Sequence, residues 1–157
     1  MLSRDVDLMR SIPLFSHFSE DQLRLIAFSA EPIEVFAGTT LFRDGSRARG
    51  GYVVTAGEIR LTPSDPDQSE LDVGPGSLIG ELALFAPVTR PATAVVVADA
   101  RLIDISRDLL LRVLDEYPDM AKRLQKFLSS RLELLVRDLS VAERALLNAD
   151  DFVFRSG

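Results

Sequence analysis

The sequence predicts a mainly β fold in which an antiparallel sandwich or barrel occupies the middle of the chain, with α-helices on both sides. Residues 31–105 contain short runs rich in Val, Ile, Phe and Thr, separated by Gly, Pro and Asp. Residues 1–30 and 106–147 instead show the spacing of helices. Strands this short and this closely spaced favour antiparallel pairing over β-α-β units.

Composition limits the function classes. The chain has 157 residues, enough for one domain, and a net charge of −6 from 24 acidic and 18 basic residues. Such an acidic chain is a poor general binder of nucleic acid, whose phosphates require Lys and Arg. No run approaches the roughly 20 apolar residues that span a bilayer, and the N-terminus lacks a secretory h-region. We therefore expect a cytoplasmic protein without nucleic-acid or membrane partners.

Residue types needed for common catalytic sites are scarce. The chain has no cysteine, which excludes disulfides, thiolate metal sites and a cysteine nucleophile. His17 is the only histidine, and we interpret it as a turn residue. A cupin-like enzyme would need several histidines for its metal, so this alternative is disfavoured. The sequence predicts no enzyme, no catalytic residue, no metal and no cofactor.

Residues 1–30 are predicted to form N-terminal helices. A short apolar stripe comes first and is broken by Pro13. Its members are Val6, Leu8, Met9 and Ile12. Ser19 and Gln22 then have the spacing of a capping box, which predicts the start of a second helix.

Residues 31–105 are predicted to form the β region. Gly supplies the positive φ that tight turns require, and it recurs between the apolar runs. The candidate strands are Ile33–Phe36, Thr40–Phe42, Gly51–Thr55, Glu58–Thr62, Ser69–Val73, Ala92–Val97 and Leu102–Ile105.

Residues 106–147 are predicted to form two helices. Ser106 caps the first, and Pro118 ends it and begins a second that runs to about Leu147. Apolar residues of the second helix recur in steps of four and three, as in a heptad seam. They are Leu128, Leu132, Leu135, Leu139, Ala142 and Leu146. We expect the first turns to pack on the β region, and the helix from Leu132 onward to contact a partner helix, giving a homodimer. Residues 148–157 show no clear period and are interpreted as a tail.

The segment from Gly74 to Ala94 suggests a binding site. A Gly-rich turn leads into one predicted helical turn, Glu81–Phe85. Amides at a helix start bind anions, and Arg90 follows closely enough to meet the same anion with its planar fork. Glu81 adds an acceptor for hydroxyl groups. Together these groups suit a sugar phosphate, although Glu81 and Arg90 could instead form a solvated ion pair on a loop.

The run Gly80-Glu81-Leu82-Ala83-Leu84, followed after five residues by Arg90-x-Ala92-Thr93, resembles the phosphate-binding cassette of the cyclic-nucleotide-binding domain family. That family includes catabolite-activator-type transcription factors, regulatory subunits of cAMP-dependent protein kinase and cyclic-nucleotide-gated channels. The early glycine corners, the start of a B helix at Ser106-Arg107-Asp108 and the break at Tyr117-Pro118-Asp119 extend the resemblance over most of the chain.

The resemblance implies an antiparallel β-roll (a double-stranded β-helix, jelly-roll-like) flanked by N-terminal helices and a long C-terminal helix. It implies a cyclic-nucleotide-binding domain over residues 1–147. Within it, 1–30 are N-terminal helices, 31–105 the β-roll with the cassette at 80–93, and 106–147 the B and C helices.

The resemblance also implies roles in the cassette. Arg90 would pair with the cyclic phosphate, and Glu81 would accept the ribose 2′-hydroxyl. Ala83 would offer a backbone N–H to the phosphate, and Gly80 would let the backbone approach the sugar. Thr93 would line the pocket near the base or simply pack in its strand. The implied ligand-binding set is Gly80, Glu81, Leu82, Ala83, Arg90, Pro91, Ala92 and Thr93.

The chain departs from the family pattern in two ways. Members commonly use the amide after the arginine as a phosphate donor, but Pro91 has no N–H. Losing that bond would cost about 1–3 kcal/mol. The residues expected over the base fall near Leu135 and Val136, where a contact would be apolar and would discriminate poorly between adenine and guanine.

Two functions remain open on the sequence. The first is a sensor of cAMP, or secondly cGMP, which signals through the helix Pro118–Leu147 to an unknown effector protein. The second is a degenerate domain without a nucleotide ligand that serves in protein interaction or dimerisation, for which Pro91 is the best support. Because only ten residues follow the predicted long helix, we expect no helix-turn-helix module.

Overall fold

The structure is a computed structural model that describes residues 2–136 and 153–155. The α-helices are α1 Leu2–Arg10, α2 Glu20–Ser29, α3 Arg107–Glu116 and α4 Pro118–Val136, with 3-10 helices at Pro13–His17 and Leu82–Leu84. The strands are β1 Glu31–Val35, β2 Thr40–Phe42, β3 Arg47–Ala48, β4 Gly50–Pro63, β5 Leu71–Val73, β6 Ser77–Ile79, β7 Val88–Thr89, β8 Ala92–Ser106 and β9 Val153–Arg155.

The β region is antiparallel, as predicted, and has the form of a β-roll. Among the described residues, the main sheet runs β1-β8-β4-β6-β9, with β2 also paired to β8 and β5 to β4. The short strands β3 and β7 pair separately. Strands β4 and β8, of 14 and 15 residues, pair from Gly50 opposite Ser106 to Pro63 opposite Ala92. They form the long ribbon on which the other strands are arranged.

Two pairs of predicted strands are continuous in the structure. Gly51–Thr55 and Glu58–Thr62 both belong to β4, and Ala92–Val97 and Leu102–Ile105 both belong to β8. The turn signal at Gly57, with φ +87°, marks a shift of the β4–β8 register instead of a chain reversal. A bulge uses the same glycine conformation as a tight turn, so the sequence signal was ambiguous.

Several short strands were not predicted. β3, β6, β7 and β9 have two or three residues each, too few to show an alternating pattern. β9 lies within the segment interpreted as a tail, and it pairs with β6 through Leu78 opposite Phe154. The interpretation as a tail is therefore wrong for Val153–Arg155.

The helix signals are largely confirmed. Ser19 and Gln22 form the expected capping box at α2, and the Ser106 hydroxyl accepts a hydrogen bond from the Leu109 amide at 3.1 Å. His17 lies in the first 3-10 helix and contacts Phe127 of α4, with ring centroids 4.7 Å apart. The predicted extension of α4 to Leu147, and the seam at Leu139, Ala142 and Leu146, lie outside the described residues.

The core has two parts. The helical cluster lies between the helices and one face of the sheet, and Met120 and Leu124 of α4 are buried in it. Helix α4 packs mainly against α3 and the first 3-10 helix, so the prediction that its first turns pack on the β region is not confirmed. The barrel cluster fills the β-roll with residues such as Ile59, Leu61 and Leu102. In the described part of the chain, no helix is both long and apolar enough to cross a membrane.

Candidate ligand-binding site

Gly80 brings the backbone of the cassette close to Arg90. Gly80 directly follows the buried strand β6. Gly80 has φ +81°, a conformation that residues with a Cβ rarely adopt. A Cβ built there would collide with Arg90 Nη1 and would lie 3.3 Å from the Gly50 carbonyl oxygen. Glycine is therefore required here for close contact between backbone and guanidinium.

A 3-10 helix, Leu82–Leu84, takes the place of the predicted helical turn Glu81–Phe85. The Ala83 N–H, expected at the phosphate, donates to the Gly80 carbonyl at 3.1 Å. The Leu84 amide donates in the same way to the Glu81 carbonyl at 3.1 Å. The Ala83 amide is thus used within the turn, and it would have to share or release this bond to reach a phosphate.

Glu81 and Arg90 are both buried. Glu81 is 0% exposed and Arg90 is 5% exposed. Charged side chains are almost never this buried unless they form an ion pair or hydrogen bonds, or bind a ligand. The alternative of a solvated ion pair on a loop is therefore wrong.

The Arg90 guanidinium lies inside the β-roll against two aromatic rings. Its Nη2 donates to the Gly50 carbonyl at 2.9 Å. Its Cζ lies 4.3 Å from the ring centroid of Phe42 and 5.6 Å from that of Tyr52. The two rings are nearly parallel, at 16°, with centroids 6.2 Å apart. We call Phe42 and Tyr52 the aromatic pair.

The cavity beside Arg90 is small, at about 20 Å³. It is lined by Phe42, Leu61, Ile79, Gly80, Arg90, Pro91 and Ala92. A single water needs roughly 10–15 Å³, whereas pockets for small ligands measure about 300–1,000 Å³. The cavity that the described residues form beside Arg90 is therefore smaller than a nucleotide.

The residues after Arg90 have different surroundings. The Pro91 carbonyl accepts hydrogen bonds from the amide and the hydroxyl of Ser64, both at 3.1 Å. Ala92 and Ala94 belong to the barrel cluster. Thr93 alternates to the other face of β8, where its hydroxyl oxygen accepts from the Asp44 amide at 3.1 Å. Of the two alternatives for Thr93, packing in the strand agrees with this contact.

Acidic groups surround the arginine at a longer range. Asp104 lies opposite Tyr52 on one side and Glu31 on the other. Burial, and then the charge of Glu31, raise the pKa of Asp104, while Arg90 opposes the shift. Burial and Asp104 likewise raise the pKa of Tyr52, again against Arg90. The field of Arg90 therefore reaches both neighbours.

Arg107 contacts the cassette, although the sequence singled it out only as the start of a helix. Its Nη1 donates to the carbonyls of Ala83 at 3.0 Å and Ala86 at 2.8 Å, and lies 3.4 Å from that of Ala48. The first residue of α3 thus binds the end of the cassette helix. No local pattern could have shown this, since the contacts span 21 to 59 residues of sequence.

Sequence comparison places this arrangement in a known family. The model of the family described as "Cyclic nucleotide-binding domain" matches residues 32–117, more than half of the chain and including all of 80–93. The chain belongs to the cyclic nucleotide-binding domain family. The resemblance of the cassette is thereby confirmed at the level of the family.

Solved structures of the family are similar over most of the chain. A cyclic nucleotide-binding-like protein from Brucella abortus bv. 1 str. 9-941 is 38% identical, covers 71% of this chain and 97% of its own, and gives a TM-score of 0.64. The N-terminal domain of a transcriptional regulator from Streptomyces coelicolor A3(2) is 33% identical. It covers 81% of this chain and 93% of its own, and gives a TM-score of 0.74.

Curated relatives are longer proteins. A CRP-like cAMP-activated global transcriptional regulator from Mycobacterium tuberculosis is 22% identical over 129 residues, which are 80% of this chain and 58% of that protein. Lysophospholipase NTE1 from Chaetomium globosum is 29% identical over 118 residues, 73% of this chain and 8% of that protein. The cyclic nucleotide-binding domain described here therefore corresponds to a part of each.

Proposed function

We propose that the domain is a regulatory module that binds a cyclic nucleotide, cAMP first and cGMP second, at Glu81 and Arg90. The observation that carries the proposal is the burial of Arg90, at 5% exposure, beside the glycine turn of the cassette. Removing a guanidinium from water is costly, and a β-roll needs no charge in its interior. A recognition site for an anion explains why the charge is there.

The chemistry of the site suits a sugar phosphate. The guanidinium offers paired donors to phosphate oxygens, and the Glu81 carboxylate can accept a ribose hydroxyl. Gly80 allows the backbone to lie against the sugar. Pro91 offers no amide, so the arginine would supply a larger part of the anion contact.

Arg107 supports a route for the signal. Its bonds to the Ala83 and Ala86 carbonyls join the cassette to α3, and α4 begins two residues after α3 ends. We propose that a ligand shifts the cassette and that Arg107 transmits the shift to α3 and α4. The helix starting at Pro118 would then expose or cover a surface for an effector protein or a second copy, as a change in population between two states.

Calorimetric titration of the full chain with cAMP and cGMP tests the proposal. Arg90→Ala should weaken binding about ten- to a hundredfold, because a charge-assisted contact is worth about 1.5–3 kcal/mol. Arg60→Ala, at an exposed arginine, is the matched control and should leave affinity unchanged. Absence of heat with either nucleotide at millimolar concentration would favour the alternative of a degenerate domain.

A further inference from the structure

The aromatic pair was not among the predicted site residues, yet it contacts the group on which binding depends. We infer that Phe42 and Tyr52 hold Arg90 in a position that excludes the ligand, and that they thereby set the nucleotide affinity of the domain. This inference rests on the proposed function and adds two residues that determine affinity.

Contacts of the guanidinium support the inference. The Phe42 ring lies 4.3 Å from Arg90 Cζ, inside the range of a cation–π interaction, and Tyr52 lies at 5.6 Å. Such contacts are strongest where water is excluded, and Arg90 is 5% exposed. The Nη2 donor is also used by the Gly50 carbonyl. An anion that takes the Nη2 donor must compete with the Gly50 carbonyl, and an anion that moves the guanidinium must also break its contacts with the two rings.

The cavity gives an independent argument. Its volume of about 20 Å³ is bounded by Phe42 as well as by Arg90. A nucleotide that occupied this cavity would displace Phe42 for steric reasons, and its phosphate would draw Arg90 away from its present contacts. Because the ring and the guanidinium contact each other, both requirements are met by one rearrangement.

The thermodynamic consequence is that only a fraction of molecules is competent to bind. The apparent dissociation constant equals the intrinsic constant divided by that fraction. Phe42→Leu keeps an apolar side chain against the barrel cluster but removes the ring that attracts the cation. It should therefore raise the competent fraction and lower the Kd for cAMP about tenfold.

The experiment is calorimetric titration of cAMP into the full chain and two variants. Phe36→Leu is the matched control, because Phe36 follows β1 and is 69% exposed. Adenosine serves as a neutral probe that should not bind, since it offers no anion to release Arg90. Side-chain NMR of Arg90 adds a measurement without ligand: its resonances should show ring-current shifts that Phe42→Leu reduces and Phe36→Leu does not.

The expected result is a Kd about tenfold lower for Phe42→Leu and unchanged for Phe36→Leu. Binding by Phe42→Leu alone would also support the inference. Equal or weaker binding by Phe42→Leu, with the wild type binding normally, would overturn the inference and leave the proposed function intact. If no protein binds, the proposed function fails and the inference fails with it. Unchanged ring-current shifts in Phe42→Leu would overturn the inference regardless of ligand.

Discussion

Two arginines of the β-roll, Arg60 and Arg90, show how the surroundings decide what a residue does. Arg60 lies on β4 with its side chain 46% exposed, and it forms a two-point hydrogen bond with Asp72 across the strand pair, at 2.9 and 3.1 Å. Arg90 is buried and contacts a carbonyl and two rings. Arg60 therefore pairs with a carboxylate at the surface, whereas the Arg90 guanidinium lies in the interior of the β-roll.

The difference in burial between the two arginines bears on what each contributes to stability and to ligand recognition. Exposed ion pairs contribute little to stability, because water and salt screen them. A buried guanidinium costs free energy that an apolar side chain would not, so its presence indicates a use. The contrast supports the proposal that Arg90 binds a ligand, whereas the contacts of Arg60 are those of a surface ion pair.

Among the substitutions, Gly80→Ala should have the largest effect on stability and binding. It should displace the Arg90 side chain and leave the ion pair of Arg60 with Asp72 in place. The new Cβ would collide with Arg90 Nη1, and alanine would be forced to φ +81°. We expect a loss of about 2–4 kcal/mol in the free energy of unfolding, together with loss of nucleotide binding. Urea denaturation and calorimetry measure the two effects.

Gly38→Ala separates the two causes of the lower stability, which are the collision with Arg90 and the positive φ of the backbone. Gly38 also has positive φ, +90°, but a Cβ there would meet nothing within 4 Å. This variant should show only the cost of the backbone conformation and should bind normally. Equal losses in the two variants would contradict a close approach of Arg90 to Gly80.

Arg107→Met tests an arginine whose burial is intermediate between that of exposed Arg60 and that of buried Arg90. It removes a charged donor from the Ala83 and Ala86 carbonyls. We expect the free energy of unfolding to fall by about 1–3 kcal/mol, and the amides of the cassette helix to exchange faster with solvent. Arg112→Met, at an exposed position of the same helix, is the control. Unchanged exchange at Leu84 and Phe85 would contradict the coupling of the cassette to α3.

The carboxylates beside the two arginines should respond to pH in opposite directions. Burial and Glu31 raise the pKa of Asp104, so the folded state holds its proton more tightly and stability falls as pH rises through that pKa. Arg60 lowers the pKa of Asp72, so stability is gained above the ordinary pKa and lost as pH falls through the lowered one.

Asp104→Asn should therefore raise Tm at pH 7 and have no such benefit near pH 3, whereas Asp72→Asn should lower Tm slightly at pH 7. Thermal unfolding across this pH range checks both. The effects are the smallest predicted here, since Asp104 is only half-buried and Asp72 is exposed. If both variants changed Tm in the same direction at pH 7, the opposite pKa shifts of Asp104 and Asp72 would be contradicted.

Much of the fold and part of the site could be predicted because their signals are local. Caps at Ser19 and Ser106, glycine corners and the motif from Gly80 to Thr93 are all read over a few residues. The strand β6 could not be predicted, since three residues carry no period. Nor could the aromatic pair, because Phe42, Tyr52 and Arg90 meet only when β2 and β4 fold beside the cassette. Burial of Arg90 likewise arises from tertiary packing.

The measurement that tests the central claim most directly is an NMR titration of the full chain with cAMP, observing backbone amides and arginine Nε–H groups together. Binding at the buried arginine predicts large shifts for Arg90 Nε–H and for the amides from Gly80 to Thr93, while Arg60 Nε–H stays in place. The account would be contradicted by shifts centred around Arg60 and Asp72, or by an unchanged spectrum at millimolar cAMP.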